Sequence, residues 1–206
     1  MWRVRFRLQE EGYKMTATNV LIAGVGGQGI IVAGQVLAKT VVMAGYDVKK
    51  SDVHGMAQRG GSVISHVRFG DKIYSPLIPD GEADLLMATE RLEALRWLPL
   101  VKKGGKLVVN TQIIPPPTVT RGVQPYPKGI VEKLNKFDPE IIAFDCLEVA
   151  REAGNPRTAT VVLLGALSAR LEFDEKLWKK AIRGTVPAKV LEVNLKAFTA
   201  GRKRAI

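Results

Sequence analysis

Two short stretches hold most of the side chains able to do chemistry. The first, Gly24-Val25-Gly26-Gly27-Gln28-Gly29, satisfies G-x-G-x-x-G between the apolar run NVLIAGV and a long apolar segment reaching Ala44. Glycines there permit a tight turn and let a ligand or another chain approach the backbone, and a helix starting behind them offers unpaired N–H groups to an anion. The second runs from His54 through Gly55, Gln58, Arg59, Gly60 and Gly61. A guanidinium and an amide together grip a carboxylate or phosphate bidentately, and the glycines free the backbone to aim them.

Other chemistries are poorly served. Cys146 is the one cysteine, and His54 and His66 are the two histidines. An iron–sulfur cluster takes four thiolates and a zinc site three or four ligands, so clusters must sit on another chain and no metal site is expected here. Cys146 follows an apolar run and reads as a small core residue. No nucleophile or general base on this chain is expected.

The elements that must position the two stretches follow from periodicity. Asn19–Val25 is a buried strand, the glycines a turn, and the segment to Ala44 a helix closed by Gly45. On that helix Gln28, Gln35 and Lys39 recur at i, i+7 and i+11, a narrow stripe left for water or a partner. A second strand is expected over 47–50, so that His54, Gln58 and Arg59 fall in the loop at the carboxyl end of the sheet, where open α/β sheets bind ligands. Strands follow over 62–69 with a short return strand at 73–74, then over 84–89, 106–110 and 141–144. Helices are expected over 90–98, after the last strand to Ala153, over 158–171, after Asp174 to Gly184, and from Pro187 onward, with Leu191, Leu195 and Phe198 as the final apolar stripe. The prolines at 115–117 and around Tyr126 mark a rigid extended excursion. The alternation predicts an α/β fold: a single Rossmann-like domain, its mostly parallel sheet between helices, with a helical C-terminal part.

Residues 19–206 form this one domain, and 1–18 read as an N-terminal extension. Within it Trp2, Val4, Phe6 and Leu8 alternate with Arg3, Arg5 and Arg7 as in an edge strand, while Met15 is an alternative start. No apolar run reaches the roughly 18 residues of a membrane span. A cytoplasmic location is expected. The net charge is +11, and residues 155–206 hold eleven basic against four acidic groups. That surplus favours an acidic partner; with aromatics at 6% and no nucleic-acid motif, nucleic acid is not expected.

The glycine motif alone admits two bottom-up readings, a structural turn or a dinucleotide site, the second making the chain a stand-alone NAD(P)-dependent oxidoreductase. A dinucleotide site wants an acidic residue about 20 positions on, at the end of the second strand. Asp47 comes too early and Asp52 follows Lys49 and Lys50.

GVGGQG at 24–29 with SDVHGMAQRGGSVISHVRFG at 51–70 resembles the gamma-type subunit of 2-oxoacid:ferredoxin oxidoreductases. The wording HGMAQRGGSV is most similar to the indolepyruvate branch. The resemblance covers Asn19 to the C-terminal helix and leaves the first eighteen residues outside. It implies a heteromeric enzyme, a heterodimer or α2β2, that oxidatively decarboxylates arylpyruvates to aryl-acetyl-CoA and reduces ferredoxin. Thiamine diphosphate with magnesium and the iron–sulfur clusters would belong to an alpha subunit, with coenzyme A as co-substrate and none of these held by this chain alone. It further implies that Gly24, Gly26, Gly27, Gln28 and Gly29, with His54, Gln58, Arg59, Gly60 and Gly61, face the alpha subunit near the active-site cleft.

Overall fold

A computed structural model describes residues 17–55, 60–137 and 140–205. Six strands form one sheet in the order β2-β3-β1-β4-β5-β6. They are β1 (Thr18–Val25), β2 (Asp47–His54), β3 (Ser62–Gly70), β4 (Ala83–Ala88), β5 (Val101–Asn110) and β6 (Glu140–Phe144). β1, β4, β5 and β6 pair in parallel. β3 runs antiparallel to both of its neighbours, β1 and β2. The α/β expectation of a mostly parallel sheet between helices thus holds, with one reversed strand inserted beside β1.

Helices cover both faces: α1 (Ile30–Met43), α2 (Arg91–Trp97), α3 (Pro117–Thr120), α4 (Ile130–Asn135), α5 (Cys146–Glu152), α6 (Ala159–Ser168), α7 (Glu175–Arg183) and α8 (Leu191–Arg204). β1 is apolar from Val20 to Val25 because both of its faces are covered. Val20 and Ile22 join the cluster packed by α1, α5, α6, α7 and α8, while Leu21 and Ala23 join the smaller cluster under α2 and α4. Asp174 caps α7 as expected, accepting from Lys176 N at 2.8 Å. Phe173, Trp178 and Phe198 stack in sequence, with centroids 6.3 and 6.0 Å apart, and join the two C-terminal helices to the core.

Four local expectations are corrected. The second strand continues past Lys50, pairing with β3 through His54↔Val63, so His54 ends a strand rather than sitting in the loop. No return strand forms at 73–74; Pro76 and Pro79 cannot donate to a ladder, and Ile73 is instead a buried plug whose N–H donates to Asp47 Oδ2 at 2.8 Å. The proline excursion contains the helical turn α3. On α8 the buried line is Asn194, Ala197, Phe198 and Gly201, while Leu191 and Leu195 are half-buried.

That shift has a steric cause. A Cβ on Gly201 would lie 1.8 Å from Val162 O, and one on Gly165 would lie 2.1 Å from Phe198 O. α6 and α8 therefore touch backbone to backbone, and α6, apolar on nearly all sides, is buried between α8 and the sheet. Gly201→Ala is expected to lower stability by about 3 kcal/mol, because the obstacle is backbone and cannot rotate away. Chemical denaturation checks this; a loss no larger than that of an exposed helix substitution would contradict the crossing.

His66, on β3, is buried and its Nδ1 accepts the Ile78 N–H at 3.3 Å. Burial holds its imidazole below the ordinary histidine value. Its folded pKa being lower than its unfolded one, it contributes stability in full above the unfolded value and loses it as pH falls through that value toward the folded one. Unfolding at pH 5 against pH 7.5 should show a decline of at most about 1.4 kcal/mol per pH unit from this group. His66→Asn should flatten that dependence.

Candidate functional site

The carboxyl ends of β1, β2 and β4 meet the amino end of β3 along one rim. Registers align Gly24↔Val63 and Val63↔His54 across three strands. The first glycine motif therefore lies two strands from His54 although thirty positions separate them in the chain.

The glycine turn is built from its own glutamine. Gln28 turns inward: its Oε1 accepts from Val25 N at 2.9 Å and from Thr89 Oγ1 at 2.6 Å, and its Nε2 donates to Thr89 O at 3.3 Å. Thr160 Oγ1, on α6, donates to Gln28 O. Gln28 is thus not the first member of a solvent-facing stripe. The outer face of α1 instead presents Ile31, Val32 and Val42, exposed apolar residues, beside Gln35 and Lys39. Gly24 has no room for a Cβ, which would stand 1.9 Å from Thr89 Oγ1. Gly29, at φ 82°, precedes α1 in the left-handed region that favours glycine.

The two sequence stretches are joined directly. Gly26 N donates to Gly61 O at 2.8 Å, and Gly60 N donates to Gly26 O at 3.5 Å. Beside this junction opens a cleft of about 450 Å³ lined by Gly26, Gly27, Gly29, Val63, His54 and the first turn of α1. Its walls are mainly apolar, and Val53, 47% exposed, stands at the neighbouring position of β2. His54 is the one titratable side chain among the described residues lining the cleft; its Nδ1 is 3.3 Å from Gly55 O. Gln58 and Arg59 lie outside the described residues.

Further along the rim a polar network sets the loops. Asn110, ending β5, donates through Nδ2 to Thr89 O at 3.2 Å and accepts from Cys146 N at 3.0 Å. Glu90, buried, caps α2 by accepting from Leu92 N and Glu93 N. Its other oxygen accepts from Tyr126 OH at 2.5 Å and from Ile114 N at 3.3 Å, tying the proline excursion to the sheet. Burial, reinforced by the Glu90 carboxylate, pushes the Tyr126 phenol up to about 12, against the opposing pull of Arg91. Arg91 lies over the Tyr126 ring at 5.5 Å. Ser62 donates to Glu93 Oε2, and Trp97 Nε1 donates to Ser62 Oγ at 3.1 Å. Sequence reasoning missed Thr89, Glu90 and Asn110. Their signal is faint: each is the first or second polar residue after an apolar strand.

The topology disfavours a dinucleotide. The ribose-binding acid would end the strand beside β1, and that place belongs to antiparallel β3, whose Ser62 faces Val25. β2 lies one strand further out and ends in His54. The cleft thus combines backbone N–H groups, one imidazole and apolar walls, a set suited to receiving a chain segment or orienting a ligand bound elsewhere.

Comparison with known proteins agrees. Residues 19–204 match the family model for pyruvate ferredoxin/flavodoxin oxidoreductase. The indolepyruvate oxidoreductase subunit IorB of Thermococcus kodakarensis is 44% identical over 93% of this chain and 97% of its own. Its counterpart in Archaeoglobus fulgidus is 40% identical over 91% of this chain and 95% of its own. The crystal structure of a keto/oxoacid ferredoxin oxidoreductase gamma subunit from Geobacter sulfurreducens superposes with TM-score 0.69 at 26% identity, covering 91% of this chain and 98% of that one.

Gln28→Leu should cost about 2 kcal/mol or more, since it strands the Val25 N–H and the Thr89 hydroxyl in a buried site. Thr89→Ala should cost about half as much, the glutamine keeping its backbone partners. Equal denaturation midpoints for both variants and the unaltered chain would show that the turn does not depend on this contact.

Proposed function

The chain belongs to the pyruvate ferredoxin/flavodoxin oxidoreductase family and is the small subunit of a 2-oxoacid:ferredoxin oxidoreductase, and from that premise we propose that its complex acts on arylpyruvates such as indolepyruvate. In this reading the 2-oxoacid and coenzyme A become aryl-acetyl-CoA and carbon dioxide, and two electrons pass singly to ferredoxin. The observation that carries the subunit's role is the joined pair of glycine segments beside an apolar cleft. Identity to the indolepyruvate oxidoreductase subunits supports the substrate class.

The donor set of this chain does not fit an iron–sulfur cluster. Cys146 is fully buried, its thiol pushed well up by burial and by the Asp145 carboxylate. No three His, Cys, Asp or Glu side chains among the described residues stand close enough to hold a metal ion. In this proposed reading thiamine diphosphate with magnesium and the clusters belong to an alpha subunit, in a heterodimer or α2β2 assembly. This chain's share is positional. The rim at 24–29 and 54–61 docks against that subunit; the apolar cleft excludes water from the shared boundary. Arg59 with Gln58 orients a substrate carboxylate or a coenzyme A phosphate, and His54 donates a hydrogen bond beside them.

Reconstitution with the alpha subunit tests this. Arg59→Met should raise KM for the arylpyruvate or for coenzyme A about tenfold or more, the loss of one charge-assisted hydrogen bond. The chain alone should reduce no ferredoxin with indolepyruvate. Unchanged kinetics for both substrates would remove Arg59 from the reading; turnover by the lone chain would remove the reading itself.

A further inference from the structure

The charge excess has a location. Residues 175–204 hold nine basic and two acidic groups. Glu175 pairs with Lys179 at 2.7 Å and with Arg202 at 3.6 Å. Lys176, Lys180, Arg183, Lys189, Lys196 and Lys203 have no carboxylate within ion-pair distance among the described residues. A surface charged for stability alone interleaves its signs into networks. One that leaves like charges side by side accepts self-repulsion.

Two of these cations, Lys196 and Lys203, flank a groove together with the Glu175-paired Lys179. Between α7 and α8 lies a depression of about 420 Å³ lined by three lysines, Lys179, Lys196 and Lys203, against one carboxylate, Glu192, with Leu195 and Ala200 along its floor and Thr199 beside them. It shares no residue with the cleft at the glycine turn. On α8, Glu192, Lys196, Thr199 and Lys203 fall at i, i+4, i+7 and i+11, one face of a helix.

We propose that the α7–α8 groove is a docking site for an acidic protein segment carrying apolar residues among its carboxylates. The lysine rim supplies charge complementarity and faster encounter, while the Leu195–Ala200 floor gives the apolar residues a place to be buried. Nucleic acid fits less well. Its bases stack on exposed aromatics, but Trp178 and Phe198, the aromatic residues of α7 and α8, are fully buried, and no aromatic lines the groove. A phosphate backbone would make no use of the apolar floor. This inference does not rest on the substrate of the complex.

Fluorescence anisotropy with the full chain tests it. Three labelled probes suffice: a peptide with glutamates and leucines at helical spacing, a peptide of equal charge without the leucines, and a short DNA duplex. The leucine-bearing peptide should bind tightest. Lys196→Glu/Lys203→Glu should weaken it about tenfold, and Lys72→Glu/Lys128→Glu, with the same net charge and exposed lysines elsewhere, about twofold at most at physiological salt. Lys196→Gln/Lys203→Gln, which introduces no anion into the groove, should shift binding in the same direction, and unchanged melting temperatures show that both variants remain folded. Equal losses in both charge-reversal pairs, equal binding of the two peptides, or tighter binding of DNA would each overturn the proposal.

Discussion

The rim depends on one carboxamide folded back under its own backbone. Gln28 reaches Val25 N, the Thr89 hydroxyl and the Thr89 carbonyl, so a single side chain fixes the end of β1, the glycine turn and the end of β4. The Thr89 hydroxyl fills the space a Cβ on residue 24 would need, which makes glycine obligatory there. With its side chain committed inward, the turn offers only backbone outward, and that backbone meets Gly60 and Gly61. A buried, satisfied amide of this kind specifies one geometry because every alternative leaves polar atoms unpaired.

The reversed strand β3 explains why so suggestive a motif does not mean what it means in a nucleotide-binding fold. A strand, glycine turn and helix lead to β2, as in a dinucleotide unit, and β1 and β2 do run in the same direction. But β3 lies between them. The carboxyl end of β2 is thereby carried one strand further from the turn, and Gly60 and Gly61, which lead into β3, are brought against Gly26 instead. The same insertion that removes the ribose site creates the junction between the two segments.

Much of this was readable from residue order. Apolar runs such as NVLIAGV and KLVVN became buried strands, the glycines became a turn with Gly29 and Gly45 at the ends of α1, and Asp174 became a cap. The resemblance of the two glycine-flanked motifs foretold the family. What escaped was set by contacts distant in sequence. Nothing local in Gln28 says that it turns inward, because its partner Thr89 is sixty-one residues away. β2 outran its expected end because its last four residues, polar or charged but for Val53, are held by pairing with β3 rather than by propensity. The line buried on α8 shifted because Gly165 and Gly201 admit an approach that hydrophobic spacing cannot encode. The rim residues Glu90 and Asn110 were illegible for a related reason: beside their local contacts, each ties the rim together through a partner thirty-six positions away, Tyr126 and Cys146.

The glycine crossing of α6 and α8 has a mechanical corollary. Where side chains separate two helices, rotamer changes cushion a small sliding of one past the other; where main chain rests on main chain, no such cushion exists. α6 and α8 therefore behave as one stiff plate. Thr160, near the start of α6, is bonded to the carbonyl of Gln28, while the outer surface of α8 forms a wall of the lysine-rimmed groove. One unit of backbone thus spans from the carbonyl beneath the glycine turn to the wall of the groove.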